Sequence, residues 1–334
     1  MNILIRADGS LNIGLGHIFR CLTIANHFKK TYDDIKIDFI TQSDPEVQNK
    51  LLRDYKCINP NENLIVEDLV KKSDLFISDM LNTSNSYISD IKMQNPLIKL
   101  VCIDNNTQLK YIESADVVFN ANVFHKPKIK DNNFKYYLGP DYMILRDSFI
   151  INHPRILDKA VNKLFISFGG SDGKGCTLNV LSALKTINKS FEINVIAGPM
   201  FQYQQELEKM ADEDDRIKII LEPKNIYELM NNADLAIISA GITLYEICCL
   251  GVPSIVIPQV KHQSDIALEF AKKETCINLG YNPKSMDIKT NVEKLVSDND
   301  LRNKLSTKGK EFVDGKGLKR FIDIIMDDLN AKTI

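Results

Sequence analysis

The sequence predicts an α/β protein built from two doubly wound, Rossmann-like domains. Its 334 residues are more than one hydrophobic core usually organises, which favours two domains of about 150 residues each. Short apolar runs alternate with longer helical patterns, and this alternation is typical of βαβ units in a parallel sheet. Because the alternation occurs in both halves of the chain, each half is expected to form its own sheet with helices on both faces.

The candidate strands are short runs rich in Ile, Val, Leu and Phe. In the first half they are residues 3–7, 35–40, 75–78, 100–103 and 117–119. In the second half they are residues 164–168, 193–197, 217–220, 235–238 and 254–257. The polar segment 152–155 contains Pro154 and suits a junction better than a helix or a central strand. We therefore expect an N-terminal domain of residues 1–153 and a C-terminal domain of residues 154–334.

The composition is that of an ordinary globular protein, with 44% apolar residues, 26% charged residues and a formal charge of -2. Basic residues are scattered among acidic ones, so no nucleic acid partner is expected. The seven cysteines include no Cys-x-x-Cys pair and indicate neither a disulfide framework nor a zinc site. The acidic clusters 212–215 and 298–300 are interpreted as solvated surface. No metal and no cofactor are expected.

The N-terminus and the longest apolar stretch bear on where the chain is expected to act. The first residues indicate a strand and a loop, without the basic region and cleavage site of a signal peptide. The apolar stretch 235–252 is interrupted by Gly241 and Glu246, which favours a strand, a turn and a helix over a membrane span. We therefore expect a cytoplasmic protein without stable membrane insertion.

A glycine-rich segment follows the first strand, at the position where open parallel sheets bind ligands. Gly14 and Gly16 stand at a predicted helix entrance, where glycine lets a ligand approach the backbone and free amide groups favour an anion. His17 is the only one of five histidines at such a strand end, where a general base is needed. The alternative is a structural or solvated histidine. Asp8 is a candidate to orient His17, since a base commonly needs a partner that fixes its tautomer.

The strand 164–168 also runs into a glycine-rich turn, which includes Gly169, Gly170 and Ser171. The pattern is consistent with a phosphate cradle in front of a helix. Glycines also form ordinary turns between strands and helices, so the pattern alone leaves both interpretations open.

The segment 239–253 carries the strongest binding motif. Its small residues 239–241 stand at a helix start and can admit a diphosphate. Glu246 lies within the apolar helix that follows, where a buried carboxylate needs a partner. Ribose hydroxyls would serve, and so would a backbone amide or a lysine. Beyond the next strand, His262 and Gln263 can either close over the phosphates or form an ordinary first helical turn.

Together these motifs resemble those of the GT-B nucleotide-sugar enzymes. They are most similar to the UDP-2,4-diacetamido-2,4,6-trideoxy-β-L-altropyranose hydrolases of pseudaminic acid biosynthesis, a family that is itself similar to the MurG-type glycosyltransferases. The matching stretches, in order along nearly the whole chain, are Arg6-x-Asp8, Gly14-x-Gly16-His17-x-x-Arg20, Leu138 to Tyr142 with Leu145-Arg146, Ser167 to Gly170, Ser239 to Pro253, and Asp314 to Arg320. Asn105, Gly173 and His262 depart from residues common in the family, which leaves the exact sugar open.

The resemblance implies a GT-B fold whose two domains face each other across a cleft, with the sugar side on the N-terminal domain and UDP on the C-terminal domain. It implies that His17 is the catalytic base, that Gly241, Thr243 and Glu246 belong to the UDP site, and that Ile226 lies near the uracil. The complete set of expected substrate-binding residues is Arg6, Asp8, Gly14, Gly16, Arg20, Asn105, Gly169, Gly170, Ser171, Ile226, Ser239, Ala240, Gly241, Thr243, Glu246, His262 and Gln263.

The implied activity is hydrolysis of a UDP-linked diacetamido-trideoxy hexose with inversion at the anomeric carbon. UDP leaves as a stabilised phosphate anion, so one base and a set of amide donors suffice. One alternative is a MurG-like glycosyltransferase that uses a hydroxyl acceptor in place of water, and a second is a non-catalytic nucleotide-sugar-binding protein. Fold alone does not choose among them. His17 argues against the binding protein, and the lack of an evident membrane-facing helix argues against a lipid acceptor.

Overall fold

The computed structural model describes residues 1–10, 15–80, 83–104, 112–123, 135–149, 155, 157, 160–198, 201–221, 223 and 225–330. The chain divides into two compact units. The first unit consists of Met1–Asp147 with Lys316–Ile334, and the second unit is Ser148–Gly315.

The first unit is built on a parallel sheet with the strand order β3-β2-β1-β4-β5-β6-β7. Its strands are β1 (Asn2–Ala7), β2 (Lys36–Ile40), β3 (Lys56–Ile58), β4 (Leu75–Asp79), β5 (Lys99–Ile103), β6 (Val117–Asn120) and β7 (Lys135–Leu138). The helices between them are α1 (Gly16–Thr31), α2 (Pro45–Leu51), α3 (Asn63–Lys72) and α4 (Asn85–Gln94). The order reverses direction between β1 and β4, as in doubly wound folds.

Helix α1 owes its position to a single apolar face. Ile18, Cys21, Ala25 and Phe28 recur at helical spacing and are fully buried. They belong to the same core cluster as the apolar residues of β1. This packing brings the first turn of α1, which contains His17, close to the carboxyl end of β1.

The second unit has a parallel sheet with the strand order β10-β9-β8-β11-β12-β13. Its strands are β8 (Lys163–Ser167), β9 (Glu192–Ala197), β10 (Ile217–Leu221), β11 (Leu235–Ile238), β12 (Ser254–Val256) and β13 (Ile277–Asn278). Its helices are α5 (Cys176–Leu184), α6 (Gln204–Glu213), α7 (Ile226–Asn231), α8 (Ile242–Leu250), α9 (Lys261–Lys272), α10 (Ser285–Ser297) and α11 (Asn299–Phe312). Here the order reverses between β8 and β11.

All strands predicted from the sequence are present, and their bounds shift by one residue at most at either end. The strands β3, β7 and β13 were not predicted. Each is the outermost strand of its sheet and has two to four residues. Such short edge strands lack the buried apolar run on which the prediction depends.

The C-terminal helix α12 (Gly317–Asn330) packs into the first unit, which differs from the expectation that residues 154–334 form the second domain. Its fully or almost fully buried residues recur at helical spacing and are Leu318, Phe321, Ile322 and Ile325. The Phe321 ring centroid lies 4.6 Å from that of Phe119 in β6. Because this apolar face completes the core of the first unit, the division falls after Asp147 and again before Lys316.

Two of the sequence motifs meet at the start of α12. A Cβ atom on Gly317 would lie 2.1 Å from the carbonyl oxygen of Met143, so only glycine fits there. Arg320 Nη1 donates a hydrogen bond of 2.9 Å to the carbonyl oxygen of Asp141. These contacts give Gly317 and Arg320, and the segment 141–143 that they contact, a structural role in the first unit.

An ion-pair network holds the last turn of α12. Asp328 accepts hydrogen bonds from Lys99 of β5, at 2.7 Å, and from Lys135 of β7. Burial raises the pKa of the Asp328 carboxyl, but the hydrogen bonds and charges of the two lysines outweigh it and lower the pKa overall. Among the described residues, no helix is long and apolar enough to cross a membrane.

We expect the stabilisation from Asp328 to disappear in acid. Its folded-state pKa lies below the ordinary value of 3.8, so the carboxylate stabilises the fold above that value and its contribution is lost as the pH falls through the lower, folded-state value. Urea unfolding of wild type and Asp328→Asn between about pH 2 and pH 7 measures this. The difference in unfolding free energy should shrink towards the acid end. A difference that stays constant, or an equal effect of the exposed control Asp323→Asn, would contradict the prediction.

Candidate active site

The point where the first sheet reverses its strand order brings two polar residues together. In open parallel sheets, ligands bind beyond the carboxyl ends of the strands at this point. Asp79 is the last residue of β4 and pairs in register with Ala7, the last residue of β1. His17 is the second residue of α1, the helix that follows β1.

His17 and Asp79 form a hydrogen-bonded pair. The His17 Nδ1 atom lies 2.7 Å from Oδ1 of Asp79. An ionised carboxylate only accepts, so Nδ1 carries the proton of this hydrogen bond. In the neutral ring the lone pair then resides on Nε2, which is the nitrogen able to take a proton. The His17 side chain is 12% exposed, while that of Asp79 is fully buried.

Arg20 donates hydrogen bonds to the same carboxylate through two nitrogens. Its Nε donates to Oδ2 of Asp79 and its Nη2 donates to Oδ1, both at 2.7 Å. Burial alone would raise the pKa of the Asp79 carboxyl, but the Arg20 charge and the hydrogen bonds from His17 and Arg20 hold that pKa well below its usual range. Asp79 is therefore ionised at neutral pH although it is buried.

Arg6 and Asp8, both expected to bind substrate, bind each other. Arg6 Nη1 donates to Oδ1 of Asp8 and to the carbonyl oxygen of Ile40. The same Asp8 oxygen accepts from the backbone amide of Gln42 at 2.7 Å. The hypothesis that Asp8 orients His17 is therefore wrong, because Asp8 is engaged by Arg6 and the His17 ring is held by Asp79.

Sequence reasoning missed Asp79, although a signal for it was present. The residue directly follows the predicted strand 75–78, and polar residues at such strand ends are candidates for a site. Gly16 is the first residue of α1, as predicted for the helix entrance. Gly14 and Asn105, two further predicted site residues, lie outside the described residues.

In the second unit, three loops of predicted site residues lie at one edge of the sheet. Residues 169–171 follow β8, residues 239–241 follow β11, and residues 262–263 begin α9 after β12. The three strands are neighbours and parallel, so their carboxyl ends are adjacent. The first two loops flank the point where the strand order reverses.

The N-terminus of α5 is already occupied by a carboxylate of the chain. Asp172 accepts hydrogen bonds from the backbone amides of Cys176, at 2.9 Å, and Thr177, at 2.8 Å. Asp172 is 1% exposed, and burial raises its pKa although these amide bonds act in the opposite direction. The interpretation of the 169–175 loop as a phosphate cradle at the start of α5 is thus not supported, because an anionic group fills that position.

We expect Asp172→Ala to destabilise the second unit by about 0.5–2 kcal/mol, the usual cost of losing a helix cap. Chemical unfolding followed by circular dichroism measures the change. Asp212→Ala, at an exposed position of α6, is the control and should stay close to wild type. Equal stability of the two variants would show that the carboxylate does not hold the helix.

The N-terminus of α8 differs from that of α5 in having no carboxylate at its amides. Among the described residues, no side chain caps it, and its first turn contains no acidic residue. A Cβ atom on Gly241, the residue before α8, would meet nothing within 4 Å. Thr243 lies in the first turn and is half-buried, while Glu246 is 4% exposed in the next turn. Open space, amide groups and the helix dipole together favour an anion here.

The remaining predicted residues of the second unit differ in role. Gln263 accepts a hydrogen bond through Oε1 from the backbone amide of Gln259 at 2.9 Å, and this leaves the Nε2 group of Gln263 as the donor. Gln259, which sequence reasoning missed, donates through Nε2 to the carbonyl oxygen of Phe168 at 2.7 Å and ties the loops after β8 and β12 together. His262 is exposed, and Ile226 is half-buried at the start of α7.

Within the described ranges, no cluster of His, Cys, Asp or Glu is arranged to hold a metal ion.

Comparison with known proteins covers nearly the whole chain. Residues 165–320 match the family model of the glycosyltransferase family 28 C-terminal domain. An uncharacterized protein of Methanocaldococcus jannaschii is 34% identical over 82% of this chain, which spans only 59% of that relative's length. The spore coat polysaccharide biosynthesis protein SpsG of Bacillus subtilis is 29% identical over 98% of both chains. The UDP-2,4-diacetamido-2,4,6-trideoxy-β-L-altropyranose hydrolase of Campylobacter jejuni is 28% identical over 82% of this chain and 97% of its own.

Among solved structures, MurG of Acinetobacter baumannii superimposes with a TM-score of 0.71 at 16% identity, covering 98% of this chain and 99% of the other. At that identity the likeness shows the fold alone. Two parallel-sheet α/β units with this likeness and this domain match define a GT-B protein. Within that class, the relatives confirm the resemblance predicted from the motifs, which is to the UDP-diacetamido-trideoxy-altropyranose hydrolase family.

Proposed function

We propose that this protein hydrolyses a UDP-linked diacetamido-trideoxy hexose to the free sugar and UDP. His17 Nε2 takes a proton from water while the water oxygen bonds to the anomeric carbon. The bond from that carbon to the UDP oxygen breaks, and UDP departs with the electron pair. Attack from the face opposite to UDP inverts the anomeric configuration.

The hydrogen bond between His17 and the buried Asp79 is the observation that carries this proposal. This hydrogen bond leaves the lone pair of the neutral ring on Nε2, which is the form that a general base needs. The ring lies in the first turn of α1, just beyond the end of β1. The 12% exposure of the His17 side chain shows that this ring is not sealed in the core. The similarity to the Campylobacter jejuni hydrolase, whose name states the reaction, supports water as the acceptor.

The second unit is proposed to hold UDP. The N-terminus of α8, which has no side-chain cap among the described residues, suits the diphosphate together with Gly241 and Thr243, since amide donors stabilise the charge that grows on a departing phosphate. Glu246 is proposed to accept hydrogen bonds from ribose hydroxyls, and Ile226 to lie beside the uracil. The match to the glycosyltransferase family 28 C-terminal domain supports a nucleotide-sugar site in this part of the chain.

A glycosyltransferase is the second candidate. The domain match favours it as much as it favours a hydrolase, because both enzymes would use one UDP site. They differ in the nucleophile, which is water in one and a hydroxyl group in the other. A protein that only binds the nucleotide sugar would need neither.

One incubation separates these functions. The protein is mixed with the UDP-diacetamido-trideoxy sugar in ¹⁸O-labelled water, without an acceptor. Release of UDP together with label in the free sugar is expected. UDP release that requires an added acceptor hydroxyl would support the transferase, and UDP-sugar binding without turnover in either case would support the binding protein.

A further inference from the structure

We propose that Asp79 and Arg20 act together as positioning residues for His17: the Asp79 carboxylate fixes which ring nitrogen carries the proton, and the Arg20 guanidinium cancels the charge of that carboxylate so that the ring remains a neutral base. This inference rests on the proposed role of His17 as the base. It assigns Arg20 to the support of the base rather than to direct contact with substrate.

The tautomer follows from one hydrogen bond. Oδ1 of Asp79, fully buried, lies 2.7 Å from His17 Nδ1. A ring held in this way cannot rotate to exchange its nitrogens without leaving a buried carboxylate oxygen one donor short. Asp79 therefore fixes both the orientation of the ring and the identity of the basic nitrogen.

The charge balance depends on Arg20. A buried carboxylate beside an imidazole favours the charged imidazolium, which has no lone pair to accept a proton. Arg20 Nη2 lies 2.7 Å from the same Oδ1 atom and 3.4 Å from His17 Nδ1. A positive charge at these distances compensates the carboxylate and opposes a second positive charge on the ring.

Two further groups near this trio add little net charge, and a third titratable group, Asp104, is buried beyond the carboxyl end of the neighbouring strand β5, where Asn120 Nδ2 donates to its Oδ2 at 3.1 Å. Within the described residues, Cys21 Sγ donates to Oδ2 of Asp79 at 3.6 Å, and burial raises the pKa of its thiol well above the ordinary value, so it stays neutral. At the end of β1, Asp8 is paired with Arg6. Removing either charge from the Asp79–Arg20 pair therefore leaves the other charge beside the His17 ring without the ion pair that balances it here.

Wild-type protein gives the first test. Long-range ¹H–¹⁵N spectra of the imidazoles at neutral pH, with the His17 signal assigned from its absence in His17→Ala, report which nitrogen is protonated. We expect a proton on Nδ1 and none on Nε2. A ring protonated on Nε2 only, or on both nitrogens at neutral pH, would overturn the inference without reference to any variant's folding.

Two variants are expected to move the pH dependence of turnover in opposite directions. In Arg20→Gln the carboxylate lacks the guanidinium charge and favours a proton on the ring, so the acid limb of the kcat/KM profile moves to higher pH by about one unit. In Asp79→Asn the uncompensated guanidinium opposes that proton, so the limb moves to lower pH, and kcat falls about 10²–10⁴-fold because the ring is no longer oriented. Arg20→Lys keeps the charge and should leave the limb near its wild-type position.

Controls separate this inference from a structural role and from the proposed function. Arg53→Gln and Asp68→Asn, both at exposed positions, should leave the profile unchanged. Circular dichroism shows whether each variant is folded, and UDP affinity shows whether its second unit is intact. Acid limbs that do not move in folded Arg20→Gln and Asp79→Asn would overturn the positioning roles while wild-type hydrolysis stands. Absence of wild-type hydrolysis would overturn the proposed function, and the imidazole spectra would still decide the tautomer.

Discussion

His17→Ala is expected to lower kcat for hydrolysis of the UDP-sugar by about 10²–10⁴-fold, the contribution that a positioned general base makes. UDP affinity should change little, because the residues proposed to bind UDP belong to the second unit. Initial rates of UDP release, combined with calorimetric titration of UDP, separate the two effects. A large loss of kcat with preserved UDP affinity is the expected outcome.

His27→Ala is the matched control, since His27 lies on the same helix and has no proposed role. Its kcat should equal that of wild type. A folded His17→Ala variant that binds UDP and turns over at the wild-type rate would remove His17 from the mechanism. A variant that loses kcat and UDP affinity together would indicate damage to the fold instead of loss of a base.

Phe321→Ala is expected to destabilise the first unit by about 3–5 kcal/mol, because a fully buried ring is lost and a cavity remains. The ring packs against Phe119 of β6, so the effect should appear in the sheet of the first unit. Hydrogen exchange followed by mass spectrometry measures protection strand by strand. We expect faster exchange in β5, β6 and β7 and little change in β8 to β12.

Lys319→Ala provides the control on the same helix. Lys319 is exposed and pairs only with Asp323 on the surface of α12 among the described residues, an interaction worth about 0–1 kcal/mol. Its exchange pattern should match that of wild type. Loss of protection in the second unit of Phe321→Ala, with the first unit unaffected, would return α12 to the domain that the sequence suggested.

Residues of the candidate site could be predicted where the sequence pattern that marks them lies within one short segment of the chain. Glycine at a helix entrance and a histidine beyond a buried strand both lie within one stretch of chain, and the structure has Gly16 and His17 in the first turn of α1. The orienting partner was not predictable in that way. Asp8 is near in sequence, whereas Asp79 is 62 residues away and reaches His17 because β4 lies beside β1.

The glycine-rich turn after β8 is a second feature whose role could not be predicted from the local sequence. The sequence pattern equally suited a phosphate site and an ordinary turn, and Asp172 stood within it without an evident role. Only the tertiary structure shows that this carboxylate accepts hydrogen bonds from the amides at the start of α5, which an anion would otherwise use. The first turn of α8 contains no acidic residue, and no side chain in the described part of the chain caps it.

The sequence by itself determined two parallel α/β sheets, the positions of their buried strands and the residue proposed as the base. These follow from apolar periodicity and from residue types at strand ends, which are properties of short segments. Only the tertiary structure decided that Asp79 and Arg20 contact His17 and that α12 completes the core of the first unit. Strand order and the destination of an amphipathic helix depend on which surfaces bury each other, and local periodicity reveals that a face is buried without revealing its partner.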